Sequence, residues 1–272
     1  MRPSPAARLL RRFASSLVLV LCAVALVSVS GSAFAHTTAS QPAAAPDARV
    51  PTSAPIASAT APAKKQLVVV IDAGHQAKAD LRLEPIGPGS KKKKPRVAGG
   101  TSGIVTHNRE SAINLQVALK LRTALRKKGV KVVMIRTKQK VNISNSSRAK
   151  IANAAGADLC VRIHCDGSTN HKIHGLLVVV PAKNSWTKKF YARSYTAGKD
   201  VLGKTVSATK AKNRGISKRG DMTGFNWSKV PTIIVEMGLM TNATEDRNLA
   251  KKSYQAKLVS GMTKGVMKYL ER

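Results

Sequence analysis

At 272 residues the chain can hold one sizeable domain or two small ones. Its 47 lysines and arginines outnumber 13 acidic residues and leave a net charge of +34. A field this strong draws polyanions such as nucleic acid, anionic lipid or an anionic cell wall. Nucleic acid is set aside: aromatic residues for base stacking are only 4% of the chain, and no helix-turn-helix, zinc-finger or RNA-recognition pattern occurs.

The first stretch is an address rather than a fold. Arg2, Arg8, Arg11 and Arg12 precede an apolar run from Leu17 to Val29, and Ala33-Phe34-Ala35 follows as a small-residue cleavage pattern. Residues 1–35 therefore read as a secretory signal peptide, its apolar run short for a membrane span, with an uncleaved anchor as the alternative; no transmembrane helix is expected after cleavage. The expected location is secreted and cell-wall associated, or periplasmic where two membranes are present. An anionic extracellular polymer then fits both charge and address. Residues 36–65 are mostly Ala, Pro, Ser and Thr, which bury too little apolar surface to offset their ordering entropy and read as a disordered linker. Residues 66–272 suffice for a single α/β domain, expected to be monomeric. Cys160 and Cys165 survive signal cleavage. Five positions along one strand span about 16 Å, beyond disulfide reach, and no second cysteine pair supports a structural zinc.

The folded part opens on Gln66 to Asp72, an apolar run that stops at Ala73-Gly74 and presents His75. Such a run reads as a buried parallel strand, and ligands in open α/β sheets bind beyond the carboxyl ends of such strands. Residues 76–103, with Pro85, Pro88, Pro95 and the lysines 91–94, read as a long functional or mobile loop. Asn108 is expected to cap a helix whose Ile113, Val117, Leu121 and Leu125 share one buried face, and Lys127-Lys128-Gly129 closes it. Glu110 falls in its first turn, where its simplest role is to complement the helix dipole. A strand at Lys131 to Arg136 and a short helix at Ser146 to Ala155 follow. The strand Asp158 to His164 again ends in an imidazole. Gly175 to Pro181 is a fourth strand, Trp186 to about Gly203 a helix, and Val206 to Trp227 a loop. The fifth strand, Val230 to Glu236, ends in a carboxylate. Thr244 is expected to cap the next helix, and the last runs from about Ser253 to Leu270. Strands alternating with helices imply an α/β fold, with a mainly parallel sheet flanked by helices on both faces.

Three strands thus end in His75, His164 and Glu236, and parallel strands bring such ends to one edge. Glu110 can point there too. Two imidazoles and one carboxylate with an open fourth position form a catalytic zinc set. The remaining carboxylate would act as general base and then acid. This chemistry assigns three ligands and a base without deciding which glutamate is which, although the helix position favours Glu110 as ligand. His107, His171 and His174 are competitors, discounted because they fall in loops rather than at strand ends. Asp72 could tie down the turn that holds His75, Arg148 could tie helix to sheet, and Asn226 and Trp227 could line a substrate groove.

Four segments carry a resemblance: VVVIDAGH (68–75), RESAINLQVALKLRTALRKKGVKVVMIRT (109–137), SRAKIANAAGADLCVRIHCDGS (147–168) and VPTIIVEMGLMTNATEDRNL (230–249). In this order and spacing the chain from about 67 to 270 resembles the zinc-dependent N-acetylmuramoyl-L-alanine amidases of the amidase 3 family. The resemblance implies a central mixed, mainly parallel sheet with flanking helices. It also implies hydrolysis of the amide between N-acetylmuramic acid and L-alanine in peptidoglycan. By it, His75, Glu110 and His164 correspond to the Zn2+ ligands and Glu236 to the catalytic glutamate. Gln76 stands where the family usually has glycine, Cys165 where it usually has alanine or serine, and the loop to Gly103 is long. These departures put substrate preference in doubt, not the reaction. Two alternatives stand beside the amidase: a zinc peptidase acting within the stem peptide, and a non-catalytic basic wall-binding protein.

Overall fold

The structure, a computed structural model, describes residues 65–271. The expected signal peptide, and the linker up to residue 64, lie outside them. The strands are β1 (Val68–Ala73), β2 (Asp80–Pro85), β3 (Lys93–Val97), β4 (Lys131–Met134), β5 (Leu159–Asp166), β6 (Leu176–Pro181), β7 (Asn213–Arg219) and β8 (Thr232–Leu239). The helices are α1 (Glu110–Arg126), α2 (Asn145–Ala154), α3 (Tyr191–Thr209), α4 (Thr223–Asn226), α5 (Ala243–Ala250) and α6 (Lys252–Leu270). Six strands form one sheet in the order β4-β1-β5-β8-β6-β7, while β2 and β3 form a separate antiparallel pair. Within the large sheet only the β6–β8 pairing is antiparallel. The sheet is mixed and mainly parallel, as expected.

Side chains alternate across a strand, and β1 uses both faces. Val69, Ile71 and Ala73 join the larger core with α1, α3 and α6. Val70 faces the other way with Cys160 of β5 and Ala152 of α2. Helices therefore cover both sides. On the first side α6 lies close against α3: a Cβ at Gly265 would stand 2.5 Å from the Val201 Cα, and one at Gly261 2.5 Å from the Thr205 Cα. Only glycine permits that approach. Cys160 and Cys165 are buried free thiols. Among the described residues no helix is long and apolar enough to cross a membrane.

The structure corrects several boundaries. The stretch expected as loop over 76–103 contains the β2–β3 hairpin, and Val206 to Trp227 contains the end of α3, the edge strand β7 and the short helix α4. The helix expected from Trp186 begins at Tyr191. Asn108 does not cap α1; Arg109 occupies that position with no side-chain cap bond. Asn242, not Thr244, caps α5, because its side chain accepts from the backbone N–H groups of both Thr244 and Glu245.

Candidate metal centre

β1, β5 and β8 are adjacent and parallel, so their carboxyl ends share one edge of the sheet. His75 follows β1, His164 lies near the end of β5, and Glu236 pairs with His164 across β5 and β8. Glu110 opens α1 and is 3% exposed. Potential ligand atoms of His75, Glu110 and His164 all lie within 4.8 Å of one another, and this is the one such group among the described residues. His107, His171 and His174 are exposed and take no part in it.

The backbone is shaped to make this approach. Gly74 backs onto the His164 ring so closely that a Cβ would collide with it. His75 itself has φ 56°, the left-handed region that non-glycine residues rarely adopt. Three backbone carbonyls hold the turn. The buried Arg136 donates to Ala73 O at 2.8 Å, Gly74 O at 2.9 Å and Ser111 O at 2.8 Å, tying the turn to the first turn of α1. Arg148 adds a bond to His75 O at 3.1 Å. Arg136 was not singled out from sequence; a lone arginine closing an apolar strand carries little signal. Asn114 was missed as well. It stands four residues after Glu110 on the buried face of α1 and donates to Glu110 Oε1 at 3.2 Å, a spacing that places two side chains together on a helix.

Hydrogen bonding fixes how the three groups present themselves. His75 Nδ1 lies 2.8 Å from Ala98 O. A carbonyl only accepts, so Nδ1 carries a proton, and Nε2 faces Glu110 Oε1, 3.2 Å away, able to coordinate a cation in the neutral ring or to donate in the imidazolium. His164 Nδ1 stands 3.1 Å from the same oxygen. Its Nε2 is buried with no hydrogen-bond partner. Glu110 is anchored by backbone N–H groups, Thr101 to Oε2 at 2.9 Å and Cys165 to Oε1 at 3.1 Å. Protons on the imidazoles that donate to the carboxylate, or a cation bound in their place, satisfy these contacts. A tetrahedral ion with ligands at 2.0–2.1 Å sets those ligands about 3.3 Å apart. The two imidazole–carboxylate distances, 3.2 and 3.1 Å, lie near that spacing, and the whole set falls within 4.8 Å.

Burial alone would raise the Glu110 carboxyl, but the two imidazoles outweigh it and hold the group well below the usual carboxylate range. Burial, with Glu110 pulling the other way, lowers His164. Glu236 behaves oppositely to Glu110. Burial first, then the negative charges of Glu110 and Asp166, push it well above the ordinary range, while Arg214 and Arg162 oppose the shift. Its Oε2 is buried without a partner. Glu236, His75 and His164 line one cavity of about 260 Å³. Lys94, Pro95 and Val97 of β3 form part of its wall, so the lysine-rich insertion is a wall of the site.

Beneath the cluster lies a closed ion-pair set. Asp72 is fully buried. It accepts from Arg148 Nη1 at 2.5 Å and from Arg162 Nε at 2.8 Å. Arg148 thus ties α2 to β1, and Arg162 also reaches Asn145 at 2.8 Å. The carboxyl of Asp72, which burial would raise, is held far below its usual range by the two guanidinium groups.

Comparison with known proteins places this arrangement. Residues 69–268 match the family model described as N-acetylmuramoyl-L-alanine amidase. The N-acetylmuramoyl-L-alanine amidase of Mycobacterium tuberculosis is 27% identical over 233 residues, covering 79% of this chain and 90% of that protein. A putative N-acetylmuramoyl-L-alanine amidase of Buchnera aphidicola is 26% identical over 234 residues, covering 75% and 96%. The crystal structure of an N-acetylmuramoyl-L-alanine amidase from Clostridium difficile superposes with a TM-score of 0.64 at 28% identity, over 76% of this chain and 98% of that one. The match spans the whole sheet, its helices and the His75–Glu110–His164 edge, and the chain belongs to the N-acetylmuramoyl-L-alanine amidase family Amidase_3.

Proposed function

We propose that the chain is a secreted, zinc-dependent peptidoglycan amidase in which His75, Glu110 and His164 hold the metal and Glu236 is the catalytic acid–base. The observation that carries this reading is the convergence of two imidazoles and one carboxylate within 4.8 Å at the edge of a cavity. Three protein ligands of this kind suit a catalytic zinc, which keeps a position open. When bound, the ion supplies a Lewis acid that polarises a carbonyl and makes water acidic.

The chain's own residues do the rest. Ala98 O fixes the tautomer of His75 by accepting from Nδ1, which leaves Nε2 free to coordinate. Thr101, Cys165 and Asn114 hold the Glu110 carboxylate so that it does not swing away. Glu236, raised by burial and by neighbouring carboxylates, has the affinity to take a proton from water and pass it to the leaving L-alanine amine. The partly enclosed cavity limits the water that competes for that proton.

The signal-like first 35 residues and the charge of +34 support an extracytoplasmic chain attracted to anionic cell-wall polymers, working as a monomer. Intact wall digested with the purified protein should yield new N-terminal alanine and no new reducing sugar ends. New amino termini from residues within the stem peptide would overturn the amidase assignment in favour of a peptidase.

A further inference from the structure

A second groove, of about 540 Å³, is lined by Trp186, Trp227, Lys150, Lys229, Asn153 and Pro88. Both tryptophans of the chain are therefore in one place. Neither ring is lost in the core, since each is half-buried. Both are held by their N–H groups: Trp227 donates to Pro85 O at 2.9 Å and Trp186 to Pro88 O at 3.0 Å. Asn153 adds a bond to the Trp227 carbonyl at 2.9 Å. Rings fixed in this way offer contact area at little entropic cost on binding. Over Trp227 lies Lys150, its Nζ 4.8 Å from the ring centroid. An exposed lysine is a displaceable cover, so that face of Trp227 is available to a ligand.

The groove and the catalytic cavity share no lining residue, and the short helix α4 stands between them. Thr223 and Gly224 line the cavity, while Asn226 and Trp227 line the groove. That four-residue helix is about 6 Å long. We propose that this groove binds the glycan strand of peptidoglycan, with the apolar face of a sugar ring against the indoles. This inference rests on the amidase reading: the bond cut there joins a sugar to a peptide, so a sugar chain must run out of the cavity on one side. An amphipathic pyranose suits an aromatic body with a polar rim. Charge selects the glycan further. Each N-acetylmuramic acid relieved of its peptide exposes a lactyl carboxylate, and Lys150 and Lys229 offer cations to meet it. A stem peptide or a protein partner is the competing occupant.

The test uses the whole protein, whose tryptophan fluorescence comes from Trp186 and Trp227 alone. Titration with peptide-free strands of alternating N-acetylglucosamine and N-acetylmuramic acid should shift that emission saturably and weaken as salt rises. Free stem peptide should leave it unchanged; a shift with peptide and none with glycan overturns the proposal. By calorimetry, Trp227→Ala should weaken glycan binding roughly tenfold, while Trp227→Phe should keep most of it. Both variants cut the bond to Pro85, so equal losses would assign the effect to the hairpin and overturn the groove. If Trp227→Ala does not fold, Lys150→Ala with Lys229→Ala serves instead: it should remove the salt-dependent part of binding, and an unchanged salt response overturns the proposal. None of these titrations requires hydrolysis. Release of N-terminal alanine from intact wall without glycan binding would therefore sink the groove and leave the reaction standing. Glycan binding without alanine release would do the reverse.

Discussion

Two polar clusters stand side by side at the carboxyl ends of β1 and β5, and they are built on opposite plans. Asp72 meets Arg148 and Arg162, each carboxylate oxygen answered by a guanidinium at 2.5 and 2.8 Å. Three residues further along the chain, just past β1, the ring nitrogens of His75 and His164 face the Glu110 carboxylate, and His164 Nε2 is left unpartnered. The first cluster is complete within the protein and so belongs to the fold. The second leaves His164 Nε2 unanswered and gathers a donor set that a cation can fill. Buried polar groups are satisfied as a rule, and a departure from that rule next to a fully satisfied neighbour marks a site built for something else.

The largest expected effects separate the two plans. His75→Ala or His164→Ala should abolish both metal binding and hydrolysis, read as metal content per chain and as alanine release. Glu236→Gln should keep the metal and still lose roughly 10²- to 10⁴-fold in rate, the usual scale for a positioned acid–base group. Near-normal turnover in Glu236→Gln would mean that another group moves the proton.

Asp72→Asn should act on stability instead. Removing one partner of a buried ion pair strands the others, at about 3–5 kcal/mol, read from the denaturation midpoint. The protein that remains folded should still bind metal. The sign of the pH dependence follows from the carboxyl being held low in the folded state. Its contribution is fully present above the unfolded value of about 3.9 and is lost as pH falls below it. Acid should therefore unfold the native chain over a range where Asp72→Asn shows a flatter response. Equal acid sensitivity would mean that Asp72 is not the group responsible.

The parallel core was legible because β1, β5 and β8 are apolar runs with abrupt ends, and a buried strand has no other way to be written. Their terminal residues, His75, His164 and Glu236, were legible for the same reason: a polar group directly after such a run stands at the sheet edge. Glu110 was harder, since first-turn glutamates serve helix dipoles more often than sites. What sequence hid were the polar strands. β3 reads KKPRV, with a proline and three cations, and β7 reads NRGISKR; neither has the alternation that announces a strand. Their pairing is imposed by tertiary contacts. Trp227 and Trp186 hold Pro85 and Pro88, and the Glu84 carboxylate accepts from the Ser146 hydroxyl at 2.5 Å. Such contacts are long-range and leave no local pattern.

The smallest expected effect probes that hairpin and the contrast between buried and exposed ion pairs. Lys94 reaches Asp221 at 2.6 Å across the mouth of the cavity, with the two side chains 34% and 35% exposed. Water and salt screen such a pair, and Asp221 keeps Arg219 as a second partner at 2.8 Å when Lys94 is removed. Lys94→Ala should therefore cost only about 0–1 kcal/mol, several-fold less than Asp72→Asn, and protection of the hairpin amides in hydrogen exchange should survive. The tryptophan bonds and the Glu84–Ser146 bond, rather than this ion pair, hold β2 and β3 in place. Loss of amide protection throughout 80–97 in Lys94→Ala would reverse that order, and would make the exposed pair the clasp that closes the cavity wall.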